Sequence, residues 1–353
     1  MTELSESPPP LPPPQPPESH AVAATRETVR NGWWLWVLLG GAGYGLLMRL
    51  AFGLPVFKAT INGGGGAMLV SFLFLVPFLI GLWTVSQLPA SRRKLSAAFL
   101  LPWAPTALFL AGTAVLAIEG SICIVLAAPI FLALASLGGL VAHFVLRTKL
   151  SPGTTSAFLM LPFATGLYEQ SLPLPDATLT STESIHIAAP PGRIWQLIND
   201  ADAIEPAEMA SGWAWRIGVP YPVAALTVTT EEGRVRKLRW QHGVHFDEPI
   251  LDWDENRYIR WSYRFAADSI PPGALDEHVT IGGRYFDLVD TSYRLQPEEG
   301  GTRLGIVVHY RISTRFNAYA APLGRLLVDD AAKTILAFYQ RRAQAPVAAG
   351  KAI

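Results

Sequence analysis

Thr302-Arg-Leu-Gly-Ile-Val-Val-His-Tyr-Arg-Ile-Ser313, with the run from Asn317 to Arg342 that follows it, decides the fold of the C-terminal half. Leu304, Ile306, Val308, Tyr310 and Ile312 share one face of an extended strand, and Arg303, His309 and Arg311 share the other, because strand side chains alternate. The period then changes. Leu323, Leu327, Ala331, Ile335 and Phe338 recur at spacings of 4, 4, 4 and 3, which predicts a helix with one buried stripe. Asn317 is the expected N-cap, and Arg341-Arg342 put cations at the C-terminal end, where the helix dipole favours them. A half-covered strand leading into a long amphipathic helix predicts a curved antiparallel sheet gripped by that helix.

Working upstream, turn signals such as Asp254-Glu255-Asn256 and Glu298-Glu299-Gly300-Gly301 separate further strands. These are expected at Glu183–Ala188, Arg234–Trp240, Val244–Trp253, Tyr258–Phe265 and Arg284–Leu295. A helix starts near Ile194-Trp195 and a second, short one lies near Ala203–Met209. The inward sets are Ile259, Trp261, Tyr263 and Phe265; Tyr285, Val289, Tyr293 and Leu295; and Val244, Phe246, Glu248 and Ile250. Glu248 breaks its pattern. A carboxylate between Phe246 and Ile250 on a covered face needs a partner, an Arg or Tyr, or it becomes neutral. It reads either as a structural ion pair or as a polar anchor or weak candidate acid/base in an apolar cavity. Tyr263, Tyr285, Tyr293 and Tyr310 offer apolar bodies with hydroxyl handles to the same interior. With Phe246, Trp261, Leu327 and Phe338 they complete the candidate ligand-binding set.

The N-terminal half is of another kind. Four runs, Trp33–Phe52, Ala67–Leu88, Leu95–Ile118 and Ser121–Leu146, are each long and apolar enough to cross a hydrocarbon core of about 30 Å. Ser151-Pro152 opens a fifth candidate that ends near Tyr168, with Pro162 inside it. Arg26 and Arg30, Arg92-Arg93-Lys94, and Arg147 with Lys149 fall on one side of alternating spans, so that side and the N-terminus are expected to be cytoplasmic in an inner membrane. Five crossings put the C-terminal domain outside, and four keep it inside. The length match leans toward five. Gly41 and Gly45, with Gly138-Gly139, suit close helix packing, within the bundle or between copies of the chain. Arg49, near a span end, is expected to snorkel to headgroups.

Composition agrees with this division. Of 353 residues, 50% are hydrophobic and only 16% charged, which excludes a wholly soluble or wholly disordered chain. Lys plus Arg and Asp plus Glu are 28 each, so no basic field for nucleic acid exists. A single cysteine, Cys123, excludes an intramolecular disulfide and a Cys-rich zinc site. Prolines crowd the first 17 residues, as in Pro8-Pro9-Pro10, and favour an extended tail. The expected divisions are a tail at 1–30, a transmembrane region at 31–168, a linker at 169–182, the sheet domain at 183–343 and a flexible C-terminus at 344–353. Asp276, Glu277 and His278 form an acid/His cluster whose spacing fits no standard metal motif, and a solvated loop is expected there. No cofactor is expected.

Three further segments carry a resemblance. Ile185-His-Ile-Ala-Ala-Pro-Pro-Gly-Arg-Ile194-Trp195, Gly243-Val-His-Phe-Asp-Glu248 and Gly301-Thr-Arg-Leu304 resemble, in this order and spacing, the helix-grip domains of the SRPBCC superfamily. That group includes START lipid-transfer domains and polyketide cyclases. The stretch Leu275–Asp287, with Ser313-Thr-Arg-Phe-Asn317, is similar to membrane-anchored bacterial members. The resemblance covers about 160 residues and none of the apolar half. It implies a cavity between sheet and C-terminal helix that holds a hydrophobic small molecule or lipid, and it does not by itself imply an enzyme. Three readings follow: a membrane-anchored binding protein, a cyclase- or dehydratase-like enzyme using Glu248, and a non-catalytic interaction protein with a packed interior. The long helix or the Ala267–Gly283 loop, with its Pro271-Pro272-Gly273 turn, is the expected gate.

Overall fold

The computed structural model describes residues 20–58, 66–89, 92–145, 152–276 and 278–345. The N-terminal half is helical, with α1 (His20–Phe52), α2 (Pro55–Lys58), α3 (Val76–Ser86), α4 (Leu95–Leu100), α5 (Trp103–Val115), α6 (Ser121–Val145) and α7 (Pro152–Glu169). Helix α1 begins well inside the stretch read as a tail, and the proline runs lie outside the described residues. Among the described residues, three stretches are long and apolar enough to cross a membrane: Trp34–Phe52, Leu95–Val115 and Ser121–Val145. The expected span Ala67–Leu88 is not one helix. A 3-10 turn (Gly66–Met68) and a π turn (Ser71–Leu75) precede α3. The apolar helix Ser71–Ser86 therefore reaches only about 24 Å. The cause is local. Glu169, at the end of α7, accepts hydrogen bonds from the Val70 and Ser71 amides at 2.6 and 2.8 Å and from the Ser71 hydroxyl, and so fixes the start of this segment.

Backbone-to-backbone approach sets the bundle's packing. A Cβ on Gly81 would collide with the Ala135 carbonyl, and one on Gly138 with the Phe78 carbonyl, so α3 and α6 touch main chain to main chain. Gly41 lies against Pro105, and Gly45 against Phe109. These small residues pack α1 on α5 within the chain, where an interface between copies was the other reading. Arg49 does not snorkel either. It donates to the Glu119 carboxylate, and both side chains are largely buried.

The C-terminal domain follows a short connection, because β1 (Asp176–Ile187) already begins inside the stretch read as linker. Next come α8 (Pro191–Asn199), β2 (Asp200–Ala201), α9 (Pro206–Met209), α10 (Trp213–Arg216), β3 (Pro222–Thr230), β4 (Gly233–Trp240), β5 (His245–Asp254), β6 (Tyr258–Ser262), β7 (Phe286–Glu298), β8 (Gly301–Ser313) and α11 (Asn317–Gln344). The eight strands form one curled antiparallel sheet in the order β1-β8-β7-β6-β5-β4-β3-β2. This is the expected helix-grip arrangement. Strand β3 was not anticipated, since Pro222-Val-Ala-Ala-Leu226 lacks clear alternation.

Three bulges bend the sheet, one of them between Pro222 and Ala224 on β3. The register shifts between Leu288 and Asp290 on β7 and between Ile250 and Asp252 on β5. A bulge puts two residues opposite one and reverses the side-chain phase beyond it. Val289 is therefore exposed, against the expectation, while Leu288 and Tyr293 pack inward. Leu251 is exposed for the same reason. Helix α11 runs along β1 and is laced to it. Ser181 donates to Asp329, Lys333 pairs with Glu183 at 3.2 Å, and Gln340 donates to the His186 carbonyl at 2.7 Å. Its start differs from expectation. Asn317 does not cap the helix but accepts from the Thr314 amide and hydroxyl and ties the preceding turn to the Pro175 carbonyl.

Because Gly138 meets the facing backbone with no side chain to yield, Gly138→Val should destabilise the bundle by about 1–3 kcal/mol, the usual cost of overpacking. Gly43, which has open space around it, should accept alanine with little change. Thermal unfolding of the purified full-length protein compares the two.

Candidate functional site

Between the concave face of the sheet and α11 lies a cavity of about 350 Å³. That is within the range of small-molecule sites. The α11 stripe read from the sequence lines it: Leu323, Leu327, Ala331, Ile335 and Phe338 all face this space. Opposite them stand Trp261, Tyr263, Tyr293 and Ile306 from the sheet. The walls are overwhelmingly apolar, and apart from Arg49, Glu119 and His278 toward the helical half the charged side chains are concentrated at one place.

That place is Glu248. It sits 2% exposed on β5, directly across from Arg236 on β4 in the strand register. The Arg236 Nη1 donates to Glu248 Oε2 at 2.6 Å, with both side chains buried. The rest of the guanidinium is also engaged. Its Nε donates to the Ile198 carbonyl at 3.0 Å, its Nη2 to the Tyr339 hydroxyl at 3.2 Å, and its plane lies over the Trp261 ring at 5.0 Å from the centroid. Burial pushes the Glu248 carboxyl up to about 7, against the pull of Arg236. Burial likewise raises the Tyr263 and Tyr293 phenols, so both stay protonated donors. Tyr263 shares a 2.7 Å hydrogen bond with Thr291, and Tyr293 packs edge-on to Tyr339.

Of the residues singled out from the sequence, Glu248, Trp261, Tyr263, Tyr285, Tyr293, Leu327 and Phe338 line the cavity. Phe246 and Tyr310 lie outside its lining. Phe246 is buried in an aromatic layer with Trp240, Tyr263 and Phe265, and Tyr310 is buried against Phe286. Arg236 escaped the sequence reading. Its signal was present, since it alternates in step with Leu238 and Trp240 and so shares their covered face.

The cavity floor is built by the helical half. Ser121 donates to the Ile217 carbonyl at 2.7 Å, and Tyr319 donates to the Leu126 carbonyl at 2.7 Å. Asp276 accepts from the Cys123 amide at 3.1 Å in the first turn of α6. Asp276 is therefore docked on the bundle, where a solvated loop was expected. His278 lies 3.9 Å from Glu119, and Glu277 lies outside the described residues. No group of three or more potential metal ligands occurs among the described residues.

No curated protein matches the chain. Solved structures do. An uncharacterized protein from Rhizobium leguminosarum is similar over 48% of this chain and 99% of its own, at 13% identity and a TM-score of 0.28. The di-domain aromatase/cyclase BexL of the BE-7585A biosynthetic pathway is similar over 55% of this chain and 59% of its own, at 13% identity and a TM-score of 0.30. A protein from Thermus thermophilus is similar over 47% of this chain and 97% of its own, at 18% identity and a TM-score of 0.25. A family model for polyketide cyclase / dehydrase and lipid transport matches residues 178–347, the span from β1 to the end of α11. With the eight-stranded curl and its gripping helix, that match places the C-terminal domain in the polyketide cyclase / dehydrase and lipid transport family, of SRPBCC type.

Proposed function

We propose that this is a membrane-anchored binding protein whose helix-grip domain holds a hydrophobic or amphipathic small molecule between sheet and α11. One observation carries the reading: the apolar stripe of α11 does not close on the sheet but lines an open cavity. Apolar walls of this kind gain packing contacts when a hydrophobic ligand lies between them. The interaction-protein reading required a packed interior, and the cavity counts against it.

The anchoring supports one topology. Arg49 near the end of α1, Ser71 before α3, Glu119 after α5, Cys123 at the start of α6 and Glu169 at the end of α7 all lie at the seam with the domain. Successive helices thus alternate in direction, as five crossings require. The basic cluster Arg92-Arg93-Lys94 lies at the other end of α3. With positive charge inside, the domain faces outward, on the far side of the membrane from the N-terminus.

A second reading has its own support. A carboxyl titrating near neutrality suits general acid/base work, so Glu248 with Tyr263 would be the pair in a cyclase-like reaction. Mass spectrometry of the full-length protein released from lipid nanodiscs tests the first reading. A bound small molecule is expected, and Leu327→Trp, which fills the cavity, should lose it. An empty wild-type protein would sink the proposal. Turnover of the captured molecule that vanishes in Glu248→Gln while binding persists would select the enzyme.

Two further outcomes follow from the buried pair. Glu248→Ala strands the Arg236 guanidinium and should cost about 3–5 kcal/mol, while the double change Glu248→Leu with Arg236→Met should recover most of it. Denaturant unfolding of the wild type and the two variants reads this. The folded state also holds a proton on Glu248 between its ordinary 4.5 and about 7, where the unfolded chain has lost it. Stability should therefore fall as pH rises through that window. The Glu248→Gln variant should show a flatter profile in melting temperature against pH.

A further inference from the structure

The cavity does not end with the domain. Its lining continues into the helical half through Phe72 and Leu73 of the π turn, Phe109 and Leu110 of α5, and Ala127 and Phe131 of α6. Along α6 the lining runs from Ile122 to Phe131, about 14 Å of helix. The two ends differ in chemistry. At the seam the helical lining holds Cys123, the Thr113 hydroxyl, which donates to the Leu110 carbonyl, and Arg49 paired with Glu119; beyond them the bundle end is lined by hydrocarbon, while the domain end carries hydrogen-bonding groups. At the domain end Arg236 is matched by Glu248 once that carboxyl has ionised, so above about 7 the pair offers no net charge to a ligand. What it does offer is donors. Trp215 and Trp240 line the same cavity, and their buried indole N–H groups have no hydrogen-bond partner among the described residues. A buried donor left unmet is costly, and an acceptor oxygen on a ligand relieves it.

We infer that the membrane bundle supplies the second half of the binding site. The ligand is a neutral single-chain amphiphile. Its acceptor-bearing end, an ester or ketone, lies under the sheet beside Trp215 and Trp240, and its hydrocarbon chain runs between α5 and α6 into the bundle. The inference rests on the reading of the cavity as a ligand site and adds to it the ligand's class and direction. A volume at the low end of small-molecule sites holds one chain rather than two. Neither a cationic nor an anionic headgroup finds an unmatched countercharge at the Arg236–Glu248 pair.

The test uses full-length protein in phosphatidylcholine nanodiscs, on the alkaline side of the Glu248 titration, with probe retained per protein measured by mass spectrometry against empty discs. The probes are octanoyl and oleoyl monoacylglycerol, oleylamine and oleoyl lysophosphatidic acid. Oleoyl monoacylglycerol should bind at least about tenfold tighter than the octanoyl form, because the longer chain buries more methylenes. It should also outcompete both charged probes. Ala127→Trp, which fills the bundle end, should abolish the preference for the long chain yet still retain the octanoyl probe. Ala127→Leu should fall between, and unfolding midpoints of both variants show that they remain folded. If Ala127→Trp holds the oleoyl probe as wild type does, the chain stops within the domain. In that case the inference fails while the binding function stands, provided Leu327→Trp still loses the probe. A charged probe that binds as tightly as the neutral one overturns the assigned class. If wild type retains no probe at all, both readings fall.

Discussion

A carboxylate and a guanidinium face each other across neighbouring strands on the concave side of this sheet, and neither is tolerable there alone. Removing two charges from water costs several kcal/mol per ion, and their attraction offsets this only with good geometry and satisfied remaining groups. Arg236 meets both conditions. It binds Glu248, the end of α8 through the Ile198 carbonyl, and α11 through Tyr339. Three layers of the domain converge on one side chain. The pair thus fixes how sheet, first helix and last helix stand around the cavity, and the apolar walls of Trp261, Tyr293 and Phe338 are arranged about it.

Much of this architecture was legible in the sequence, and the reasons are specific. Strand β8 alternates without interruption and is buried on one face along its whole length, so its inward set was readable residue by residue. The α11 stripe was equally clear because a single face meets the cavity. Strand β7 defeated the same reasoning at Val289, since a bulge shifts the phase and leaves no mark in composition. Glu248 announced itself as an anomaly and implied a partner, but naming Arg236 required the β4–β5 register, which depends on the turn between them. Asn317 shows a different limit. A residue type that favours helix caps was drawn instead to the turn before the helix, where two donors on Thr314 were nearer.

The helical half was harder to read for a physical reason. Hydropathy reports how much apolar surface a segment has and says little of what covers it. Segment 67–88 had span-like composition, yet its start is reshaped by one carboxylate arriving from α7. Arg49 looked like a residue that would reach for headgroups, and instead found Glu119 from the connection between α5 and α6. The lining residues contributed by α5 and α6 could not be told from ordinary lipid-facing or packing residues, because phenylalanine and leucine serve all three settings.

The seam between the halves has a consequence for how the chain is made. The first turn of α6 is held by Asp276, and the start of the π turn by Glu169, which in turn lies 3.7 Å from Arg315. Amides that open a helix have no partner within it. Here one of those partners lies 153 positions further along the chain, on a different domain. The helical half therefore has an unfinished rim when its last helix is made, and it acquires its final form only after translation has delivered the domain that completes it.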